Sequence, residues 1–94
     1  MNFVMLITYC FDTDYIAVPC KDEAEAITVL NNFLNEEIAT IQDECEYSPH
    51  VLEFSDVEKI LVYSDDDGID TDNYFEHDYA VYKVIEIGHN YRAK

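Results

Sequence analysis

A stripe of apolar residues at helical spacing lies between two groups of strand-like segments, and it limits the fold more than any other feature of the chain. Its members follow one another at intervals of three and four residues, which places them on one face of an α-helix. They are Ile27, Leu30, Leu34, Ile38 and Ile41. The carboxylates of Asp22, Glu23 and Glu25 favour the positive end of a helix dipole, so we predict a helix over residues 22–43. The asparagines around Asn35 are weak helix formers and favour a break there.

Apolar runs rich in β-branched and aromatic residues predict strands on both sides of this helix. They cover residues 2–9, 15–18, 51–54, 60–63 and 79–87, and the run at 51–54 is the weakest. An acidic turn joins the first two as a hairpin, and Pro19 is expected to end the second. One antiparallel sheet with a long amphipathic helix packed on one face buries the stripe. We therefore expect an α+β fold with a single sheet of four to five strands, in the order β-β-α-β-β.

The length of the chain indicates one small domain over residues 1–94, because fewer than about 100 residues rarely support two cores. We expect an acidic loop at about 64–78 and a frayed tail at about 89–94. The apolar run at residues 3–11 is too short to cross a bilayer and lacks the basic residues of a secretory signal. The three cysteines lack CxxC spacing and are expected to be reduced thiols in the core or the hairpin. We expect a cytoplasmic protein.

The net charge limits the possible partners. The chain has 21 Asp and Glu residues against 5 Lys and Arg residues, a formal charge of −16. Such a charge repels nucleic acid and anionic membranes, so neither is an expected direct partner. Apolar residues make up 49% of the chain and aromatic residues 14%, which supplies a core despite the self-repulsion.

Part of the acidic loop has the spacing of a calcium-binding loop. Asp65, Asp67 and Glu76 occupy relative positions 1, 3 and 12, but Asp70 stands where the sharp turn needs Gly. We therefore predict no dedicated metal site and no cofactor. The many acids single out no catalytic pair, and no nucleophile or phosphate-binding motif is present, so we predict no enzymatic activity.

The acids are densest in the second half of the chain. Residues 43–94 carry a net charge of −10, against −6 for residues 1–42. Alternate carboxylates on an extended segment lie about 6.6–7 Å apart, comparable to neighbouring phosphates of a nucleic acid. Such an array fits a groove built for a phosphate backbone, and tyrosines beside it are suited to anchor an interface. The predicted partner-binding residues are Asp65, Asp66, Asp67, Asp70, Asp72, Tyr74, Glu76, Asp78, Asp43, Glu44 and Glu46.

In size, charge and aromatic content the chain resembles the small acidic inhibitors encoded by phages and mobile elements, including nucleic-acid-mimicking restriction inhibitors and several anti-CRISPR proteins. The resemblance is one of composition and matches no motif. It implies a stoichiometric inhibitor that blocks a basic nucleic-acid-binding protein of host defence, such as a CRISPR effector, a restriction enzyme or a nuclease. It implies nothing about the fold, because those families have dissimilar folds.

Four other functions fit the same residues. An immunity protein or antitoxin that blocks a basic nuclease shares the physics of the inhibitor. A small carboxylate metal-binding protein or enzyme belongs to a different class, and tightly held metal or turnover would distinguish it. An acidic loop can also serve only to solubilise a small domain, although −16 exceeds the net charge of about 2–8 that solubility requires. A structural role in a virion or complex is the fourth.

Overall fold

The structure is a computed structural model that describes residues 2–87, so the tail predicted at 89–94 lies outside the described residues. Its regular elements are β1 (Phe3–Tyr9), β2 (Tyr15–Cys20), α1 (Glu23–Thr40), β3 (His50–Ser55), β4 (Glu58–Val62) and β5 (Tyr79–Glu86). The strands pair antiparallel in one sheet of order β2-β1-β5-β4-β3. Helix α1 packs on one face of this sheet. The predicted α+β fold is confirmed, with five strands.

The core lies between α1 and the central strands. Leu30 and Leu34 of the helical stripe are buried in one cluster with Met5 and Ile7 of β1 and Tyr82 of β5. Burying a Leu side chain of this kind contributes about 1.5–3 kcal/mol. The face of the sheet that carries Met5 and Tyr82 is therefore the covered face.

The two ends of the helical segment differ in regularity. Asp22 caps α1 because its carboxylate accepts a hydrogen bond from the Glu25 N–H at 2.8 Å, while the Glu25 carboxylate accepts one from the Lys21 N–H at 2.7 Å. The helix continues through Asn35, so the predicted break there is wrong. The buried stripe residues Leu34 and Ile41, on either side of Asn35, outweigh its weak propensity. The segment ends in a π-helical turn, Ile41–Cys45, and not at residue 43 as a regular helix.

Strand β2 runs through Pro19, so the prediction that this proline ends the strand at residue 18 is wrong. Pro19 pairs with Val4 of β1, and no further strand among residues 2–87 adjoins the other side of β2. A proline lacks the N–H that a ladder requires, and an edge strand tolerates this loss because only one of its sides is bonded.

The face of the sheet opposite α1 carries its own apolar residues, and we call it the open face. Side chains alternate along a strand, so Val4 and Leu6 of β1 project from this face together with Val81 and Ile85 of β5. Val4 pairs directly with Ile85. Thr8 of β1 and Lys83 of β5 project from the same face, so the open face is mixed in these two strands, and the helix does not cover it.

Candidate functional site: an acidic end of the sheet

Three connections leave the sheet at the same end. Tyr9 at the end of β1 pairs with Ala80 at the start of β5, and Val62 at the end of β4 pairs with both Tyr79 and His50. The connections there are the β1–β2 turn (residues 10–14), the α1–β3 connection (41–49) and the β4–β5 loop (63–78). We call these three segments together the acidic end.

The acidic end holds twelve of the 21 Asp and Glu residues of the chain and none of its 5 Lys and Arg residues. Two of these acids lie in the turn, three in the connection and seven in the loop. They are Asp12, Asp14, Asp43, Glu44, Glu46, Asp65, Asp66, Asp67, Asp70, Asp72, Glu76 and Asp78. All the charged residues predicted to bind a partner are among them. The topology of the sheet thus brings the α1–β3 connection and the β4–β5 loop to one end. The turn with Asp12 and Asp14 lies at the same end.

The lysines of the described part lie elsewhere. Lys21 precedes α1 at the opposite end of the sheet, and Lys83 lies within β5. Lys59 of β4 donates to Asn31 Oδ1 of α1 at 2.9 Å and pairs with Glu53 at 3.6 Å. The carboxylates of the acidic end therefore have no Lys or Arg partner within their own segments.

The end of the helical segment places acids where the helix dipole disfavours them. Asp43 and Glu44 lie in the π-helical turn, whose last turn contains no basic residue. A carboxylate at the negative end of a helix costs about 0.3–1 kcal/mol. Glu46 follows with φ 61° and ψ 36°, and its N–H donates to the Ile41 carbonyl at 3.1 Å. A left-handed residue with a Cβ adds a further cost, so this connection is not arranged for stability alone.

We expect Glu46→Gly to raise the free energy of unfolding by about 0.5–1 kcal/mol, because Gly adopts the left-handed conformation without a steric penalty. Chemical denaturation measures the change. Glu46→Gln is the matched control, since it removes the same charge and keeps the Cβ. Equal stabilisation by the two variants would show that charge, and not backbone conformation, determines the effect.

The β4–β5 loop is folded back by its own polar side chains. Asn73 Oδ1 accepts from the Asp70 N–H at 2.9 Å, and Asn73 Nδ2 donates to the Gly68 carbonyl at 2.7 Å. The Asp72 N–H donates to Asp70 Oδ1 at 2.8 Å. The predicted extended array of carboxylates at regular spacing is therefore wrong, because short polar side chains bond to nearby backbone and close turns. The acids project from these turns instead.

Tyr74 fixes the loop to the open face. Its ring centroid lies 6.5 Å from that of Phe54 on β3 and 5.0 Å from that of Tyr79 on β5. Since β4 lies between those strands, Tyr74 crosses it, and Ile60 and Val62 beneath are buried although they face away from α1. Of the predicted partner-binding residues, Tyr74 is thus the one with a clear packing role.

Two phenylalanines are exposed at the acidic end. Phe75 is 59% exposed and lies beside Tyr74, with 5.7 Å between the ring centroids. Phe11, in the β1–β2 turn, is 53% exposed and contacts the rings of Tyr9 and Tyr63 at 5.5 and 5.6 Å. Phe11 is absent from the predicted partner-binding residues because most of them belong to the densest acidic stretch. Its place beside Asp12 in a hairpin turn was the available signal.

A group of tyrosines joins the segments of the acidic end to the core. The Tyr63 hydroxyl donates to Glu37 Oε2 at 3.2 Å, which links the end of β4 to the last turns of α1. Burial raises the pKa of the Tyr47 phenol, and the nearby charges of Asp65 and Asp78 raise it further. Tyr47 of the α1–β3 connection and Tyr63 of the β4–β5 loop both pack against the core cluster.

Metal binding, the other candidate chemistry, has no geometric support in the described part of the chain. Among residues 2–87 no group of three or more His, Cys, Asp or Glu side chains is placed to hold a metal ion. His77 Nε2 lies 3.8 Å from Asp66 Oδ2 within the loop. The three cysteines are free, and only Cys20 is buried, while Cys10 and Cys45 are exposed. None of the described helices is long and apolar enough to cross a membrane.

Comparison with known proteins finds no match, whether to a family model, to a curated protein or to a solved structure.

The chemistry of the acidic end is that of a dense set of hydrogen-bond acceptors. Ionised carboxylates accept hydrogen bonds and donate none, so their natural complement is a surface of Lys and Arg side chains.

Proposed function

We propose that this chain is an acidic protein-binding inhibitor, and not an enzyme, whose acidic end occupies a basic nucleic-acid-binding groove of a partner. The observation that carries the proposal is the convergence of three connections with twelve carboxylates and without Lys or Arg at one end of a small sheet. Carboxylates and phosphates accept hydrogen bonds from the same Lys and Arg groups. A domain bound in such a groove excludes DNA or RNA because it occupies the Lys and Arg side chains of the groove.

The uneven placement of the charge supports binding over mere solubility. A solubilising surface benefits from acids spread among bases, with a net charge of about 2–8. Here Asp43 and Glu44 lie at the negative end of the helix dipole, and Glu46 beside them adopts a left-handed backbone conformation. Such costs are common where function determines a sequence, because a functional surface is selected at the expense of stability.

The exposed phenylalanines supply contacts that charge alone does not give. Phe11 and Phe75 stand within the acidic end, and aromatic side chains often anchor interfaces because they bury a large apolar area. Long-range attraction then accelerates the encounter, and the aromatic contacts select among basic partners. We assign the acids to association rate and salt dependence, and the phenylalanines to specificity.

The proposed partner is a protein of bacterial host defence, namely a CRISPR effector, a restriction enzyme or another nuclease. The similarity in size, charge and aromatic content to phage-encoded acidic inhibitors supports this assignment. The proposed place of action is the bacterial cytoplasm, where such partners meet their nucleic acids.

The test is a pull-down from a bacterial lysate, followed by competition with nucleic acid. We expect a basic protein to be retained at about 0.05 M salt and released at about 0.5 M, because screening shortens the range of the acidic field. The purified partner should then lose its bound DNA or RNA as the inhibitor is added, at one inhibitor per site. A partner that keeps its nucleic acid while binding this chain would contradict the proposal. The identity of the protein retained in the pull-down distinguishes a defence inhibitor from an immunity protein.

A further inference from the structure

Three aromatic rings from separate segments meet at the acidic end. Phe11 of the β1–β2 turn lies 5.5 Å from Tyr9 of β1 and 5.6 Å from Tyr63, which follows β4, measured between ring centroids. Tyr9 and Tyr63 pack against the core cluster, so the core holds two of the rings in place. Phe11 is 53% exposed, and about half of its surface therefore remains open to solvent. We call these three rings the aromatic trio.

A carboxylate of α1 adjoins the aromatic trio. Glu37 is half-buried, and its Oε2 accepts a hydrogen bond from the Tyr63 hydroxyl at 3.2 Å. In the described part of the chain, no Lys or Arg side chain forms an ion pair with Glu37. An ionised carboxylate accepts about four hydrogen bonds, so Glu37 keeps the capacity to accept donors from outside the chain.

A second carboxylate lies beside the trio. Asp12 follows Phe11 directly in the turn. Burial raises the pKa of the Tyr9 phenol, and the nearby charges of Glu37 and Asp12 raise it further, which agrees with negative charge around the trio. An open ring with carboxylates on two of its neighbouring segments is therefore the chemical character of this place.

That character selects a cation over an apolar side chain. An apolar group placed on Phe11 removes water from the adjacent carboxylates without supplying hydrogen bonds, which is costly. A cation is attracted both by the ring faces and by the carboxylates. A guanidinium suits the place better than an ammonium, because it is planar, weakly hydrated, stacks on aromatic rings and donates two parallel hydrogen bonds to a carboxylate.

We propose that the aromatic trio and Glu37 form a site for one arginine side chain of the partner, whose guanidinium stacks on the exposed ring of Phe11. The inference rests on the proposed function in one respect, that this arginine belongs to the basic groove occupied by the acidic end. The remaining carboxylates of the acidic end accept hydrogen bonds from Lys and Arg alike. The site at Phe11 therefore favours grooves in which an arginine stands at the matching position.

The test is a titration of the full chain with hexa-arginine and with hexa-lysine, two peptides of equal charge. Calorimetry gives the dissociation constants, and backbone amide NMR shifts locate each peptide. We expect both peptides to shift the β4–β5 loop and hexa-arginine to cause the larger shifts at Tyr9, Phe11 and Tyr63. Hexa-arginine should bind at least about three-fold more tightly, which is the size of one exposed cation–π contact.

A matched pair of variants separates this site from exposed aromatic rings in general. Phe11 and Phe75 are 53% and 59% exposed, and both lie in the acidic end, but Phe75 contacts a single described ring, that of Tyr74. We expect Phe11→Leu to remove most of the preference for hexa-arginine and Phe75→Leu to keep it. Glu37→Gln keeps an acceptor for the Tyr63 hydroxyl and should also reduce the preference, because the charged hydrogen bonds to the guanidinium are lost.

The outcomes distinguish this inference from the proposed function. Equal affinity for the two peptides, with shifts confined to the β4–β5 loop, overturns the arginine site and leaves the acidic end as a binder of basic surfaces. A preference for hexa-arginine that persists in Phe11→Leu, or that Phe75→Leu removes equally, also overturns the site. Absence of binding by either peptide counts against both proposals.

Discussion

Asp65→Asn, Asp67→Asn and Asp72→Asn, combined in one variant, should lower the affinity for the basic partner by about 30-fold at physiological salt. Each removes one negative charge from the acidic end, and charges at an interface are worth about 0.2–1 kcal/mol apiece when partly hydrated. Three together account for about 2 kcal/mol. Asp70 is left unchanged because its carboxylate accepts the Asp72 N–H. Binding measured at two salt concentrations should also show a weaker salt dependence for the variant.

The matched control neutralises three acids at the opposite end of the sheet. Glu23 opens α1, Asp56 lies in the β3–β4 turn and Glu86 ends β5. The variant Glu23→Gln, Asp56→Asn, Glu86→Gln changes the net charge equally, and we expect a loss of affinity below about three-fold. Equal losses in the two variants would show that total charge and not the acidic end governs binding. The first variant should melt no lower than the parent chain, because it reduces self-repulsion. In the control, Glu23→Gln also removes a favourable carboxylate from the first turn of α1, at a cost of about 0.3–1 kcal/mol that offsets part of the gain.

The fold was predictable because its decisive signals are local. The stripe from Ile27 to Ile41 has a helical period, and the strands have β-branched runs, so each segment favours the structure it adopts. The errors arose where tertiary context decides. Asn35 is held in α1 by burial on either side, and Pro19 is tolerated because β2 is an edge.

The site was predictable in composition but not in shape. The density of acids along the sequence identified the β4–β5 loop and the acidic cluster of Asp43, Glu44 and Glu46. Their convergence depends on strand order, because β5 pairs with β1 and β4 and so brings the turn at 10–14 and the loop at 63–78 to one end. No local pattern encodes that order. The folding of the loop on Asp70 and Asn73 is local by contrast, and the short polar side chains there were the available signal for turns.

The open face shows how one pattern can have two structural meanings. The strand predicted at 79–87 has an alternation with two sides, one of Tyr79, Val81, Lys83, Ile85 and Ile87 and the other of Ala80, Tyr82, Val84 and Glu86. In the structure the side with Val81 and Ile85 faces away from α1, and Ala80 and Tyr82 fill the core. Periodicity identifies two sides of a strand but does not say which one the helix covers. The side with Val81, Lys83 and Ile85 therefore lies on the open face, which α1 does not cover.

Above pH 10 the domain should lose stability steeply, and Tyr82→Phe should reduce that loss. Burial raises the pKa of Tyr82 well above its usual value, and the charge of Glu37 raises it further. Burial raises the pKa of Tyr63 in the same way. In the unfolded chain these phenols ionise near pH 10, while the folded state keeps them protonated. The contribution of each tyrosine to the free energy of unfolding is therefore fully present below pH 10. It is lost as the pH rises toward the pKa of the folded state, at up to about 1.4 kcal/mol per pH unit.

Two such tyrosines should together remove about 2–3 kcal/mol by pH 11, a large part of the 5–15 kcal/mol typical of a domain. Chemical denaturation at pH 8, 10 and 11 measures this slope. Tyr82→Phe should reduce the slope by up to about 1.4 kcal/mol per pH unit and leave the part due to Tyr63, Tyr47 and Tyr9, whose pKa values burial also raises. It should change stability little at pH 8, because Tyr82 is 2% exposed and Phe fills the same space. Tyr15→Phe, at a site that is 65% exposed, should keep the full slope. A slope that both variants leave unchanged would show that deprotonation of other groups, and not of the phenol packed under α1, opens the core at high pH.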